Sequence, residues 1–192
     1  MKQIRAASLP TDLPALTQLF RAYAASLPID LGYQGFDGEL ASLPGKYAPP
    51  AGALLIAGDA AGVSLGCVAM RPLPSPQGEG VSLRAAEADG WGDSADPTRR
   101  EASFATPSLE RKGCCEMKRL YVAPAGRGQG LGRALALAII EAARAAGYRE
   151  MRLDTLAHMA EAQKLYRALG FVEIGPYYDT PIENTVFMSL NL

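Results

Sequence analysis

Between Ala125 and Ile140 the chain reads AGRGQGLGRALALAII, with glycine at 126, 128, 130 and 132 and then a run of alanine and leucine. The chemistry such a stretch offers is anion binding. The first four N–H groups of a helix have no partner inside it, and they lie at the positive end of the helix dipole. A phosphate placed there accepts hydrogen bonds from them. Glycines admit it close to the backbone because no Cβ stands in the way. Arg127 and Arg133 add positive charge on either side. The same residues could instead make a close-packed tight turn or a loose loop. Two common phosphate motifs are absent. G-x-x-x-x-G-K-[ST] does not occur, and G-x-G-x-x-G fails because Leu131 and Arg133 stand where its third glycine would fall.

Other reactive side chains are few. Cys67, Cys114 and Cys115 are the thiols and His158 is the one imidazole, too little for a zinc site, so no metal is expected. The thiols read as buried and unoxidised. A covalent acyl route through Cys114 or Cys115 is chemically open, but no histidine lies near them in sequence to activate either. His158 reads as a surface or capping residue ahead of a helix.

These residues need elements to hold them. QIRAA reads as a first strand. Thr11 and Asp12 can cap a helix carrying Leu13, Leu16, Phe20, Tyr23 and Leu27 at helical spacing. GFDGELASLP is a second, short helix ended by Pro44. GALLIAGDAAGVSLGCVAMRP reads as two apolar strands around a Gly/Asp turn. From 73 to 113 proline, glycine, serine and charge dominate and neither period persists. That segment reads as a disordered or flexible insertion between the third and fourth strands, with a lid or flap anchored by Trp91 as the rival. CCEMKRLYVAP restores order as a strand. LGRALALAIIEAARAAG follows as a helix, with Leu131, Leu135, Ala138, Ile139, Ala142 and Ala146 on one stripe and Gly147 at its end. YREMRLDT is the next strand. MAEAQKLYRALG is a helix with Ala162, Leu165, Tyr166 and Leu169 on one face and Gly170 as its stop. FVEIGPYY and NTVFMSLNL close the chain as strands. Strand, glycine turn, helix, strand makes one βαβ crossover.

A chain of 192 residues suits a single domain over 1–192. Its net charge of −1 lacks the basic excess of a nucleic-acid protein. No apolar run approaches the ~18 residues that span a bilayer, and MKQIRAASLP has no apolar core of the signal-peptide kind. The expectation is a cytoplasmic protein that binds neither nucleic acid nor membrane, working as a monomer or homodimer.

RLYVAPAGRGQGLGRAL resembles motif A of the GNAT superfamily of N-acetyltransferases, [QR]-x-x-G-x-[GA], filled by Arg127, Gly130 and Gly132. LYRALGF, Leu165 to Phe171, is similar to that family's L-Y-x-x-x-G-F segment. EMKRLYV, LDT and PYY also resemble bacterial members, which points to the small bacterial type. The resemblance implies an α/β fold with a central mixed, mostly antiparallel sheet and helices on both faces. Its element order is strand, two helices, three strands, helix, strand, helix, two strands. The 73–113 insertion departs from the pattern, since members usually join those two strands by a short turn.

The resemblance also implies acetyl-CoA as cosubstrate. Backbone groups of Leu120, Tyr121 and Val122 would pair with its pantetheine arm. Amides of Arg127, Gly128, Gln129, Gly130, Leu131, Gly132 and Arg133 would hold its pyrophosphate. An amine would attack the thioester directly, with a backbone N–H near Val122 donating to the oxyanion. Tyr166 matches the usual proton donor to the departing sulfur, and a phenol stays protonated at neutral pH. Glu116 occupies the place of the glutamate base of histone-modifying members. Strict alternation would set Glu116 on the same face as Leu120 and Val122, which belong in the core, and a β-bulge between them would reverse the phase. The plainer reading of Glu116 is a salt-bridged strand residue, paired with Lys118 or Arg119.

The acceptor would be a small-molecule or peptide amine, met by Gln34, Phe36, Asp37, Glu39, Tyr177 and Tyr178. Acidic groups there would attract a cation and aromatic faces would hold it; PYYDTP is otherwise only a turn with packed tyrosines. Two other functions fit the glycines: a non-catalytic acyl-CoA sensor, and a phosphometabolite-binding domain.

Overall fold

The computed structural model describes residues 3–74 and 112–192. Most of the 73–113 insertion therefore lies outside the described residues. What flanks it is β3 at Ser64–Pro72 and β4 at Lys112–Val122.

The other strands are β1 (Gln3–Ala6), β2 (Ala53–Gly58), β5 (Tyr148–Leu156), β6 (Val172–Ile174) and β7 (Thr185–Asn191). They form one seven-stranded sheet in the order β1-β2-β3-β4-β5-β7-β6. Among the described residues β4 and β5 pair in parallel and every other pair is antiparallel. The α-helices among the described residues are α1 (Leu13–Ala25), α2 (Phe36–Ala41), α3 (Leu131–Ala145) and α4 (Ala160–Ala168).

Helices cover both faces. Leu16, Leu19 and Phe20 of α1 and Phe36 of α2 pack on Leu54, Ile56, Cys67 and Ala69. Across the sheet, α3 and α4 pack on Leu55, Val68, Met70, Met117 and Met151. Burial on both sides explains why β2 and β3 read as unbroken apolar runs rather than alternating ones. In α3 the buried stripe is wider than the sequence pattern suggests, for Ala136, Ile140 and Ala143 are buried beside Leu131, Leu135 and Ile139. A helix crossing the middle of a sheet touches it over more than one row of side chains.

Two local expectations need correction. Asp12 precedes α1 but makes no side-chain cap; its carboxylate is taken by Arg5 and by the Ser8 amide. The strand read in FVEIGPYY ends at Ile174, and Gly175 and Pro176 lead into a bend that carries the two tyrosines. Among the described residues no helix is long and apolar enough to cross a membrane, and no cluster of His, Cys, Asp and Glu could hold a metal ion.

Candidate active site

The site begins where the sheet opens. The β4–β5 ladder runs from Lys112↔Tyr148 to Glu116↔Arg152 and stops, although β4 continues to Val122 and β5 to Leu156. Beyond that point, among the described residues, no strand pairs with that edge of β4. The cleft so formed is lined by Met117 and Leu120 on one side, Leu153 and Thr155 on the other, and Tyr166 of α4.

A bulge sets which side chains face the cleft. Cys67 pairs with Tyr121 and Ala69 with Lys118, so two steps along β3 match three along β4. The extra residue lies at Arg119–Leu120, and Arg119 has φ 57. The phase reverses there, which is why Glu116 and Lys118 escape the core that Met117, Leu120 and Val122 enter. A non-glycine residue at positive φ costs about 1–2 kcal/mol. Arg119 is held there by two hydrogen bonds donated to Glu39, at 2.8 and 2.7 Å, and by the rings of Tyr23 and Phe36 beneath its guanidinium.

β4 then runs into the glycine turn. Pro124–Gly126 is a single 3₁₀ turn, and Gly128 and Gly130 take φ 70 and 72. The first i→i−4 bond of α3 runs from the Ala134 N–H to the Gly130 carbonyl. The amides of Leu131, Gly132 and Arg133 precede it and have no turn below them to bond. The glycines differ in what they do. A Cβ on Gly126 would press on Val122 at 3.0 Å and Leu131 at 3.2 Å, whereas one on Gly128 or Gly130 would meet nothing within 4 Å. Gly126 is there for packing; Gly128 and Gly130 supply an unusual backbone in open space. Arg127 and Arg133 are exposed, and Arg127 Nε donates to the Val122 carbonyl at 3.2 Å.

Tyr166 projects from α4 toward the cleft. Its ring packs edge-on to Phe171, with centroids 5.7 Å apart. Burial, with the nearby Tyr23 and Asp154, pushes its pKa up, so the hydroxyl keeps its proton. No protein acceptor for that proton occurs among the described residues.

Glu116 is fully buried. Its Oε2 accepts from Arg71 Nε at 2.6 Å and its Oε1 from the Tyr177 hydroxyl at 2.8 Å, with Lys118 Nζ 3.6 Å from Oε1. Lys118 in turn donates to Asp154 Oδ1 at 2.8 Å, across the opening between β4 and β5. Both oxygens of Glu116 are therefore occupied and a guanidinium sits against one. A substrate amine would reach neither oxygen directly without displacing Arg71 or Tyr177, and the salt bridge expected of Glu116 is made first by Arg71, with Lys118 farther off.

The thiols offer no nucleophile. Burial pushes Cys67 and Cys115 up to about 12. Burial, together with the Glu150 carboxylate to which it donates, raises Cys114 as well. His158 is exposed just ahead of α4, whose N-cap is Met159.

On the acceptor side, Gln34, Tyr177 and Tyr178 line cavities. Phe36 does not join them; it is buried under Arg119. Asp37 is exposed and Glu39 is spent on Arg119 and Tyr47, so the expected acidic attraction is largely cancelled. The residues that sequence reasoning missed here are Arg71, Lys46 and Asp154. Their signal was weak: an arginine ending an apolar strand, whose partner lies 45 residues away.

Residues 37–171 match the model of the acetyltransferase (GNAT) family. An uncharacterized N-acetyltransferase of Schizosaccharomyces pombe is 37% identical over 189 residues, covering 98% of this chain and 94% of that protein. The crystal structure of a GNAT-family acetyltransferase from Staphylococcus aureus superposes with TM-score 0.67 at 15% identity, covering 100% and 99% of the two chains. A putative acetyltransferase of Salmonella typhimurium, solved with its cofactor acetyl-CoA, superposes with TM-score 0.63 at 19% identity, covering 99% and 93%. The bacterial subtype suggested by short segments is unsupported, since a fungal protein matches nearly the whole chain.

Proposed function

We propose, from the premise that this chain belongs to the GNAT acetyltransferase family and is an N-acetyltransferase, that it moves an acetyl group from acetyl-CoA to a primary amine by direct attack in a ternary complex. The observation that carries this reading is the opening of the β4–β5 ladder after Glu116, beside the Tyr166 hydroxyl. Pantetheine is rich in amides, and the bare edge of β4 around Leu120, Tyr121 and Val122 offers it strand-like hydrogen bonds. Pyrophosphate suits the amides at the start of α3, with the open space at Gly128 and Gly130 leaving room for it.

Tyr166 gives its proton to the departing thiolate. Burial keeps the phenol protonated but makes it a weaker acid, so its case rests on position: it lines the cleft, and its hydroxyl has no acceptor among the described residues to abandon. A backbone N–H near Val122 donates to the oxyanion. Glu116 acts as a positioning residue: it fixes Arg71 through Nε and Tyr177 through its hydroxyl. The amine arrives as the free base; as the C–S bond breaks, the proton still on its nitrogen leaves to solvent, and Tyr166 regains a proton from solvent.

The test is CoA release over a panel of amines. Tyr166→Phe lowers kcat by roughly 10²-fold or more and leaves the KM for acetyl-CoA little changed. Glu116→Gln keeps the shape of the pH profile, whose rising limb follows the pKa of whichever amine is supplied. Tight binding of acetyl-CoA with no release from any amine would point to a sensor instead. A flat profile in Glu116→Gln would return the base role to Glu116.

A further inference from the structure

We propose that the acceptor amine carries an oxyanion, and that Arg71 and Lys46 receive it. This rests on the acetyl-transfer reading and names the substrate class of the same site. Three cavities, of about 230, 250 and 550 Å³, have Arg71 in their lining, and the first two also reach α2 at Glu39. The Nε of Arg71 is spent on Glu116. Among the described residues its two Nη atoms have no partner, although the side chain is only 28% exposed. A guanidinium fixed by its Nε presents its remaining N–H groups as a planar fork, which matches a carboxylate or phosphate. The exposed Lys46 lines two of the same cavities and also has no partner among the described residues.

The carboxylates nearby do not compete. Glu39 is held by Arg119 and Tyr47, and Glu116 by Arg71 and Tyr177. Asp154 is held by Lys118, while the cation of Arg152 is satisfied by Glu150. Asp179 is the exception, exposed at the rim of the 250 Å³ cavity. By charge the pairs cancel and Lys46 offsets Asp179; what is left over is the N–H fork of Arg71, which an oxyanion can use and a polycation such as a polyamine cannot. A second atom asks for the amine itself. Gln34 lines two of the cavities with Arg71, and its Oε1 is buried without a donor among the described residues. An N–H of the acceptor would satisfy it. An oxyanion for Arg71 and an N–H for Gln34 describe an amino acid or a phosphorylated amine.

The experiment compares free amino acids, their carboxamides, phosphorylated amines and diamines as acceptors, each scaled to its deprotonated fraction. Saturation-transfer NMR with the same compounds, with CoA present, reads binding without turnover. Free acids or phosphorylated amines are expected to exceed carboxamides at least about tenfold in kcat/KM, and whichever of the two leads identifies the oxyanion. Lys46→Ala, at an exposed position, shrinks that ratio about threefold or more, of the size of one charge contact near a surface. Arg71→Gln combined with Glu116→Gln removes both buried charges together and brings the ratio close to one. Turnover in which carboxamides or diamines equal the acids overturns the inference while leaving acetyl transfer intact. Acid-selective binding without turnover of any amine sustains the oxyanion site at Arg71 and Lys46 and sinks the acetyl-transfer reading. Absence of both binding and turnover overturns both.

Discussion

The glycines ahead of α3 invite substitution one at a time, because their surroundings differ. Gly130 is the N-cap, with φ 72 and ψ 5, and an added Cβ would meet nothing within 4 Å. The cost of Gly130→Ala is thus backbone strain alone, about 1–2 kcal/mol. For a chain of this size that lowers Tm by roughly 2–8 °C. Gly132 lies inside α3 at ordinary helical angles, and its Cβ would sit 3.7 Å from Val122 and 4.0 Å from Leu165. Those are ordinary contacts, and alanine is favoured over glycine in a helix by about 0.5–1 kcal/mol. Gly132→Ala should therefore raise Tm, by roughly 1–4 °C. Yet its methyl takes space between β4 and α4, where the cosubstrate arm is proposed to run. The two variants should move stability in opposite directions and both weaken CoA binding. Differential scanning fluorimetry with and without CoA reads all of this in one plate. A Gly132→Ala protein that is more stable and binds CoA as tightly as the parent would refute the placement of the ligand. Destabilisation of both variants to the same degree would refute the division of roles among the glycines.

Arg119→Ala should cost about 3–5 kcal/mol in urea unfolding, because it leaves the half-buried Glu39 without its cation. Arg119→Gly should cost about 1 kcal/mol less, since glycine accepts φ 57 freely. Hydrogen bonds from Arg5, aided by the Ser8 amide, hold the Asp12 carboxyl at about 2 despite its burial. A depressed carboxyl stabilises the fold above its unfolded pKa, near 4, and loses that contribution as pH falls through about 2. Asp12→Asn should therefore cost about 1 kcal/mol at pH 7, as expected of an ion pair whose arginine is 46% exposed. The two proteins should converge in stability toward pH 2, and a gap that persists there would assign the loss to packing.

How much of this was legible beforehand depended on how far the controlling interaction reaches along the chain. α3 and α4 announce themselves because alanine, leucine and a terminal glycine act within a few residues. The glycine turn is equally local. The bulge at Arg119 was only an option in the sequence, required if Glu116 and Leu120 were to face opposite ways; β3 had to be laid beside β4 to show it. Charge was the least legible. Glu39 looks like a free acid until Arg119, 80 residues on, is found against it. Arg71 looks like the polite end of an apolar strand until Glu116 appears beneath it. Pairings made by the folded sheet cancel the negative charge that a list of acidic residues suggests.

In the proposed complex, main-chain N–H groups at the start of α3 hold the diphosphate of CoA while its thioester lies beside Tyr166. Isothermal titration of the purified chain with CoA, and separately with pantetheine, which lacks the diphosphate, tests it most directly. One CoA per chain is expected, with pantetheine binding at least about tenfold more weakly, the worth of one or more charge-assisted hydrogen bonds. No heat with CoA, or equal affinity for the two, would contradict it.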